Sequence, residues 1–388
     1  MRKLRRLEAA LADYGKAISI RPDHAEAYNN RGNALQELQR LDAAAADYTR
    51  AIAIRPDYAD AYWNKAFTAL VQGDYATGFK LYEWRWKVGN FNMEQRCFAQ
   101  PLWLGDAPLQ SKKILLHSEQ GLGDTIQFCR YASLAAVAGA EVFLQVPRSL
   151  ASLLKDLEGA SLILTPDDPL PDFDYHCPLL SLPLAFKTVV GTIPHPTSYL
   201  HADPAKARTW QERIGERNKP KIGVVWSGGF RANPLQGWGV IGESRNIPLD
   251  RFARTLSGID ADFFSLQKGD PAESEIRGRE SEYWPLGNLH NFAAELTDFS
   301  DTAALMANLD LIVSVDTAAA HLAAALGKST WILNRFDTDW RWLLYRDDSP
   351  WYRSVKLYRQ DESQRWEPVL QRVAAELTTR ANDHRAIG

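Results

Sequence analysis

The stretch LIVSVDTAAAHLAAALG, residues 311–327, decides the fold of this chain of 388 residues. Residues 311–313 and Val315 form an apolar run of the kind found in buried parallel strands. Asp316 and Thr317 are common helix-capping residues, and the Ala-rich segment after them predicts a helix. A tight turn from strand to helix leaves unpaired N–H groups at the carboxyl edge of a sheet, where open α/β sheets bind ligands. The stretch therefore predicts an α/β fold with an anion site at this turn.

Small side chains follow this turn. Ala318 and the two alanines after it would let a diphosphate approach the backbone closely. His321 lies four residues after Thr317, on nearly the same helical face. Many α/β proteins have such a turn without any ligand, so the pattern by itself also fits a purely structural turn.

Composition narrows the functional class. The chain has 45 Lys and Arg against 48 Asp and Glu, so its net charge of −3 gives no long-range attraction for nucleic acid or anionic membranes. No apolar run approaches the roughly 18 residues of a membrane span, and the N-terminus lacks the apolar core of a signal peptide. The three cysteines and eight histidines show no metal-ligand spacing. We therefore expect a cytoplasmic protein of two or three domains, without a metal or a nucleic-acid partner.

An internal repeat governs the first 90 residues. At an offset of 34 positions, Arg21-Pro22-Asp23 recurs as Arg55-Pro56-Asp57, and Tyr28 recurs as Tyr62. The period and the pattern of proline, alanine and aromatic positions resemble tetratricopeptide repeats. The sequence thus predicts a helical domain over 1–92, with full units at 21–54 and 55–88 and a single preceding helix at 4–20.

The two ends of this array are predicted to make contacts. Helix 4–20 has no first-helix partner in the chain, so its Leu4, Leu7 and Leu11 stripe should be partly uncovered. Exposed apolar area of this kind usually marks an interface, and we expect self-association or docking of upstream repeats there. At the other end, Trp84 and Trp86 are predicted to dock against the domain that follows.

Beyond Pro101, short apolar runs alternate with helical stretches, which is typical of βαβ units and a parallel sheet. The proline-rich stretch 183–220 is the predicted linker between two such sets. We therefore expect an α/β module of two Rossmann-like lobes, 93–200 and 201–388. A final helix near 367–378 is expected to pack back across the first lobe. The predicted strands are 114–117, 142–146, 162–164, 222–226, 263–267, 311–315 and 330–333.

The first lobe opens with a glycine-rich turn. In EQGLGDTIQFCRY, residues 119–131, a predicted strand runs into Gly121 and Gly123, and Asp124 follows. A third glycine and an acidic residue after the next strand are missing, so NAD is not expected. A carboxylate at the mouth of a cleft suits a general base, and Asp124 is the candidate, with Glu119 as its rival. A helix cap for Asp124 and a solvated or loop-bonding role for Glu119 stay open.

Glycines and cations also follow the first strands of the second lobe. Ser227 and Gly228 would allow close backbone approach, and the polar loop 230–243 leads to Arg245. Lys268 follows the next strand. Both cations would project from the ligand edge of the sheet and neutralise a diphosphate, although a solvated surface charge is the alternative for each.

These segments together resemble the GT-B glycosyltransferases of the heptosyltransferase family over about 105–380. The corresponding positions are the Gly-Asp turn at 123–124, the cation Arg245 and the segment DTAAAH at 316–321. More closely, the chain is similar to bacterial proteins that fuse tetratricopeptide repeats to such a module; the matching stretches are EQGLGDTIQFCRY at 119–131, DTAAAHLAAALG at 316–327 and DWRWLL at 339–344. The domain order, though not the sequence, is also similar to O-linked N-acetylglucosamine transferases. Ala318 stands where heptosyltransferases usually have glycine, and Arg245 where they have lysine.

The resemblance implies an inverting, metal-independent glycosyltransferase with a nucleotide-diphosphate sugar as co-substrate and no other cofactor. Asp124 would deprotonate an acceptor, protein or glycan, that the repeats recruit, while Arg245 and Lys268 stabilise the departing diphosphate. The rival hypothesis is a degenerate transferase that serves only as an interaction scaffold. The sugar, the base and the acceptor stay open. The predicted donor-binding residues are Gly121, Gly123, Ser227, Gly228, Arg245, Lys268, Asp316, Thr317, Ala318 and His321.

Overall fold

The computed structural model of the chain describes residues 2–89, 96–229 and 244–387. An all-helical N-terminal region is followed by two separate parallel sheets, as the sequence predicts. No helix within these ranges is both long enough and apolar enough to cross a membrane. The polar loop predicted at 230–243 lies outside the described residues.

Five α-helices form the repeat array, and each packs against the next along the chain. Pro22 and Pro56 lie in the turns between helices, where a missing backbone N–H does no harm. Leu7 and Leu11 of the first helix are half-buried, while the side chain of Leu4 is outside the described part. The helices are α1 Arg2–Ile20, α2 Ala25–Glu37, α3 Leu41–Ile54, α4 Ala59–Val71 and α5 Tyr75–Tyr82.

The first lobe contains a four-stranded parallel sheet in the order β3-β2-β1-β4. Its strands are β1 Lys113–His117, β2 Glu141–Gln145, β3 Leu162–Leu164 and β4 Tyr175–Pro178. Three of them were predicted; β4 was not, because His176, Cys177 and Pro178 do not form an apolar run. The helices are α6 Leu122–Phe128, α7 Tyr131–Val137, α8 Arg148–Leu154 and α9 Leu182–Ala185.

The second lobe contains a six-stranded parallel sheet in the order β10-β9-β8-β5-β6-β7. Strand β8 lies between β9 and β5, so the turn after it opens at the middle of the carboxyl edge. The strands are β5 Lys221–Val225, β6 Asp262–Ser265, β7 Leu289–Asn291, β8 Leu311–Val315, β9 Thr330–Asn334 and β10 Val355–Arg359. The helices are α10 Pro204–Ile214, α11 Leu249–Leu256, α12 Ala272–Ile276, α13 Glu280–Tyr283, α14 Phe299–Ala307, α15 Ala318–Ala325 and α16 Glu367–Ile387.

The C-terminal helix α16 packs on the second lobe, and the expectation that it crosses the first lobe was wrong. Val369, Leu370, Val373 and Leu377 are buried in the same core as strands β5 and β8. The helix contacts α11 and β10. The sequence shows an apolar stripe on this helix, but a stripe does not specify which surface covers it.

The repeats pack against both lobes through a shared aromatic core. Tyr75 and Phe79 of α5 contact Trp340 edge to face, with ring centroids 6.0 and 5.5 Å apart. Trp351 donates its indole N–H to the Tyr75 hydroxyl at 3.0 Å. Phe128 of the first lobe packs on both tryptophans. The three parts of the chain therefore share one hydrophobic core.

Candidate active site

The β8–α15 turn forms as predicted. All five residues of β8 are buried, and Thr317 caps α15 by accepting a long hydrogen bond from the Ala320 N–H at 3.4 Å. The Ser314 and Thr317 hydroxyls are 3.1 Å apart, which orients the cap. Asp316, Thr317 and Ala318 are only partly buried, so this helix N-terminus is open at the edge of the sheet. Its free N–H groups and dipole favour an anion there.

The first-lobe turn faces this helix N-terminus. Helices α6 and α15 pack against each other, and a Cβ at Gly123 would lie 2.9 Å from His321 Cδ2 and 3.5 Å from Ala318 Cα. Gly123 is therefore needed for the close approach of the two helices. The structure thus brings the two predicted turns together across the lobes.

Asp124 is held by groups from both lobes. Its Oδ2 accepts from the Gly121 N–H at 2.8 Å, and its Oδ1 accepts from Arg341 Nη2 at 2.6 Å. Arg341 also donates to Asp339 at 3.0 Å and to Gln127 at 2.6 Å. Burial alone would raise the pKa of Asp339, but the adjacent Arg341 guanidinium lowers it, so this carboxylate stays charged. One buried arginine therefore connects the predicted base to the second lobe.

His321 is buried beneath the turn. Its Nδ1 is 2.8 Å from the Tyr352 hydroxyl, and its ring stacks on Trp342. Burial lowers the pKa of His321 to about 3, so the imidazole is neutral at physiological pH. Its Nε2 is 3.8 Å from Asp316 Oδ1, and burial together with nearby Asp339 raises the pKa of Asp316. His321 is placed to support the turn and Asp316, and it is not a protonated cation.

Arg245 lies at the same turn. Its Nη1 donates to the Asp316 carbonyl at 3.0 Å, and its guanidinium lies against Gly228, where an added Cβ would be 2.5 Å away. The Gly228 N–H donates in turn to Asn246 at 2.8 Å. Ser227 is fixed by the buried Gln267 amide, which accepts from its N–H and donates to its carbonyl, both at 3.0 Å. The predicted cation and glycines therefore form one arrangement at the ends of β5 and β8.

Lys268 is directed elsewhere. Its ammonium group donates to the Ala293 carbonyl at 2.6 Å and pairs with Glu273 at 3.4 Å. These partners lie in α12 and in the segment after β7, towards the end of the sheet away from β8. The structure therefore does not join Lys268 to the Arg245 cluster as the sequence analysis expected.

Glu119 belongs to the contact between the repeats and the first lobe. Its two oxygens accept from Arg85 at 2.9 and 3.0 Å, and one also accepts from the Leu180 N–H at 3.1 Å. Arg85 is fully buried and also donates to Ser181. Trp84, which was predicted to dock against the following domain, stacks on Tyr62 within the repeats, at 3.7 Å between ring centroids, and also packs against the shared core. Glu119 is thus occupied as a structural ion pair.

The sequence analysis missed the residues that hold the site together. Arg341 and Asp339 lie in the segment DWRWLL, where two charges among tryptophans could have indicated a buried ion pair. Nothing in the sequence indicated that Asn246 and Gln267 would bind Gly228 and Ser227. Among the residues that the structure describes, no group of three or more His, Cys, Asp or Glu is arranged to hold a metal ion.

Family models match segments of both parts of this architecture. Residues 2–39 match the family TPR repeat, and residues 25–58 match Tetratricopeptide repeat. Residues 272–334, which include the β8–α15 turn, match Glycosyltransferase family 9 (heptosyltransferase). The matches thus cover the repeats and one segment of the second lobe, and the fold agrees with tetratricopeptide repeats followed by a module similar to the heptosyltransferase-like GT-B structures.

Individual proteins are similar to large parts of this chain. Protein FlbA of Caulobacter vibrioides is 25% identical over 389 residues, covering 94% of this chain and 63% of FlbA, so the chain spans less than two thirds of that relative. The structure of a family 9 glycosyl transferase from Veillonella parvula covers 71% of this chain and 99% of its own, at 11% identity and a TM-score of 0.50. The structure of E. coli ADP-heptose heptosyltransferase II covers 70% of this chain and 99% of its own, at 15% identity and a TM-score of 0.46.

Proposed function

We propose that this protein transfers a sugar from a nucleotide-diphosphate donor to an acceptor hydroxyl, with inversion and without a metal. The observation that carries the proposal is the contact between the two turns. Asp124 of the first lobe lies beside the open N-terminus of α15, where Arg245 binds the Asp316 carbonyl. A carboxylate base thus faces a site suited to a diphosphate.

Each residue has a role in a single displacement. The acceptor oxygen attacks the anomeric carbon, its proton passes to Asp124, and the bond to the diphosphate breaks with both electrons going to the leaving oxygen. The α15 N–H groups and Arg245 stabilise the charge that develops on that oxygen. Attack opposite the leaving group inverts the anomeric centre. Because these groups supply the positive charge, the proposed step needs no metal ion.

Titration calorimetry with a panel of ADP-, GDP- and UDP-sugars tests this proposal. We expect one or more to bind, and to bind equally well after treatment with EDTA. Hydrolysis or transfer of the bound sugar should then depend on Asp124. Loss of binding in EDTA would contradict metal independence while leaving the transferase proposal intact.

A scaffold without activity is the second candidate, and one observation favours it. Both oxygens of Asp124 already accept hydrogen bonds, as they would in a purely structural helix cap. Retention of Arg245 beside an open helix N-terminus argues for the transferase. If no nucleotide sugar binds at millimolar concentration, the scaffold is the better interpretation.

We also infer that the open side of α1 is an interface, either with further repeats or with a second copy of the chain. Ile20 at its end is 84% exposed, and Leu7 and Leu11 are only half-buried. Light scattering that shows a strict monomer at high concentration would contradict self-association.

The cytoplasmic location stays a prediction from the sequence.

A further inference from the structure

Arg85 attaches the repeats to the first lobe at the start of the β1–α6 turn. It lies in the 3₁₀ turn that follows α5, and its side chain is fully buried. Besides both oxygens of Glu119, it binds Glu83 and Ser181, each at 2.7 Å. Ser181 donates in turn to Glu83 at 2.8 Å. All three guanidinium nitrogens of Arg85 are therefore bound in one network that joins the repeats to the first lobe.

Tyr82, the last residue of α5, holds the next residue of the same segment. Its hydroxyl accepts a hydrogen bond from the Gln120 side-chain amide at 3.1 Å. Burial raises the pKa of Tyr82, so the hydroxyl stays protonated, and the charges that act on this pKa include those of Arg341 and Asp124. Tyr82 therefore lies close to the proposed base and its arginine as well as to Gln120.

The residues that the repeats hold lead directly into the turn of the proposed base. Glu119 and Gln120 are followed by Gly121, whose N–H donates to Asp124 at 2.8 Å. Helix α6, which carries Asp124, has only seven residues. A helix of this length is not stable by itself and depends on the groups that pack on it. The position of Asp124 therefore depends on the segment to which the repeats bind.

The same helix of the repeats also reaches the other side of Asp124. Phe79 of α5 packs on Trp340 edge to face, and the Arg341 guanidinium lies 4.3 Å from the centre of the Trp340 ring. Arg341 in turn binds Asp124 at 2.6 Å. The repeats thus contact both the segment before the proposed base and the neighbour of the arginine that binds it.

Attachment of the repeats alone does not account for the ionic network at Glu119. The aromatic core around Trp340 already joins the repeats to both lobes. A buried ion pair adds little net stability compared with an apolar contact of the same size, because both charges lose their hydration. An arginine that binds a carboxylate with two hydrogen bonds does, however, fix its position and orientation. The network therefore supplies geometry more than binding energy.

We propose that Arg85 and Tyr82 are positioning residues for the proposed base, so that the repeats form part of the active site. This inference rests on the proposed transferase function. Misplacing a reacting group by about 1 Å can lower a rate by about 10²-fold. Loss of either contact should therefore slow turnover, while the donor, whose proposed site is the β8–α15 turn, should bind as before.

Tyr82→Phe and Arg85→Lys test the two contacts in the full chain. Phenylalanine removes only the hydroxyl, and lysine keeps the charge but cannot bind Glu119 through a planar fork of donors. For whichever ADP-, GDP- or UDP-sugar binds in calorimetry, kcat should fall at least tenfold in each variant, and Kd should stay within about twofold of the wild-type value. A purely structural role would lower the melting temperature and leave the rate per folded molecule unchanged, and this result would overturn the proposal.

The repeats contain matched controls for both variants. Tyr48 is a buried tyrosine whose hydroxyl binds side chains of α2, and Arg31 binds both oxygens of Asp47 at 2.7 Å. Tyr48→Phe and Arg31→Lys therefore remove the same groups from contacts that lie within the repeats, and kcat should stay unchanged. Equal falls of kcat in the controls would mean that any weakening of the repeats lowers activity, which would overturn the positioning roles.

Hydrogen–deuterium exchange tests the positioning separately from the transferase proposal. Amides in residues 118–125 should exchange at least tenfold faster in Tyr82→Phe and Arg85→Lys than in the wild type, with no change there in the two controls. Unchanged exchange in the test variants would overturn the positioning roles even in an active enzyme. If the wild type turned over none of the sugars but the test variants exchanged faster, the transferase proposal would fail and the hold of the repeats on the turn would be supported.

Discussion

The β1–α6 turn and the β8–α15 turn are built alike but use their polar groups differently. Each leads from a central parallel strand into a short helix, and the two helices pack on each other. In the first turn a side chain, Asp124, is bound by Arg341 from the other lobe. In the second turn the main chain is exposed, and Arg245 of the same lobe binds the Asp316 carbonyl. The same element can thus supply a base on one side and an anion site on the other.

This difference links the proposed base to the arrangement of the lobes. Asp124 receives Arg341 only when the lobes are together, because the two residues are 217 positions apart and belong to different sheets. The second turn needs no such contact, because Thr317 caps it from within. We therefore expect donor binding to depend on the second turn alone and catalysis to depend on both.

The largest expected effect comes from Asp124→Asn. The amide keeps the size and most hydrogen bonds of the carboxylate but cannot accept the acceptor's proton. Sugar transfer should fall by about 10²–10⁴, as is typical when general base catalysis is lost. Affinity for the nucleotide sugar and the melting temperature should stay near the wild-type values. Steady-state rates, or donor hydrolysis until an acceptor is known, together with calorimetry, check this prediction.

Asp339→Asn is the matched control for that variant. Asp339 pairs with the same arginine as Asp124 does. The Asp339→Asn change therefore removes one negative charge next to Arg341 and leaves the proposed base unchanged. We expect it to reduce transfer far less than Asp124→Asn does. Equal losses in both variants would mean that the Arg341 ion pairs matter and that Asp124 is not the base. Full activity of Asp124→Asn would end its assignment.

The fold could be predicted where apolar runs are continuous. β8 and β3 were predicted with their bounds as observed, and β1 and β5 to within one residue at each end. β7 and β10 were missed, since Asn291 and the charged residues of β10 interrupt any apolar run. These two strands are recognisable only from the strands that they pair with, and a single segment of sequence does not show that pairing.

The site could be predicted only in part for a related reason. Local patterns identified both turns, because caps and glycines lie within a few residues of each strand. The roles of Glu119 and Lys268 depend on Arg85 and Ala293, which come from other elements. A charged residue at a strand end is compatible with a ligand and with a structural partner, and only the tertiary fold decides between them.

Removal of Arg245 should have the second largest effect, and it acts on the second turn alone. Arg245→Ala should weaken binding of the nucleotide diphosphate by roughly 1.5–3 kcal/mol, the value of a lost charge-assisted hydrogen bond. Lys268→Ala removes the same charge from a residue that is bound to Ala293 and Glu273, and it should leave affinity nearly unchanged. Calorimetry of both variants checks the prediction. The opposite ranking would place the diphosphate near β6 and restore Lys268 to the site.

The smallest effect concerns the pH dependence of stability, to which a buried histidine near each turn should contribute. Burial lowers the pKa of both His321, beneath the second turn, and His117, at the end of β1, to about 3. The unfolded chain therefore takes up these protons first, and stability is lost as the pH falls below about 6.5. Each histidine should contribute about 1 kcal/mol of this loss between pH 7 and pH 5.5. Nearby Asp316, whose pKa is raised, acts in the opposite direction, with stability lost as the pH rises above its ordinary range.

Urea unfolding of His321→Gln and His117→Gln at the two pH values measures these contributions. Each variant should lose about 1 kcal/mol of the pH dependence, because glutamine does not titrate. Only His321→Gln should also weaken nucleotide binding, since His321 supports Asp316 and the start of α15, whereas His117 contacts His176 within the first lobe. If both variants weakened binding equally, the donor site would extend over both turns, and the division of roles between them would not hold.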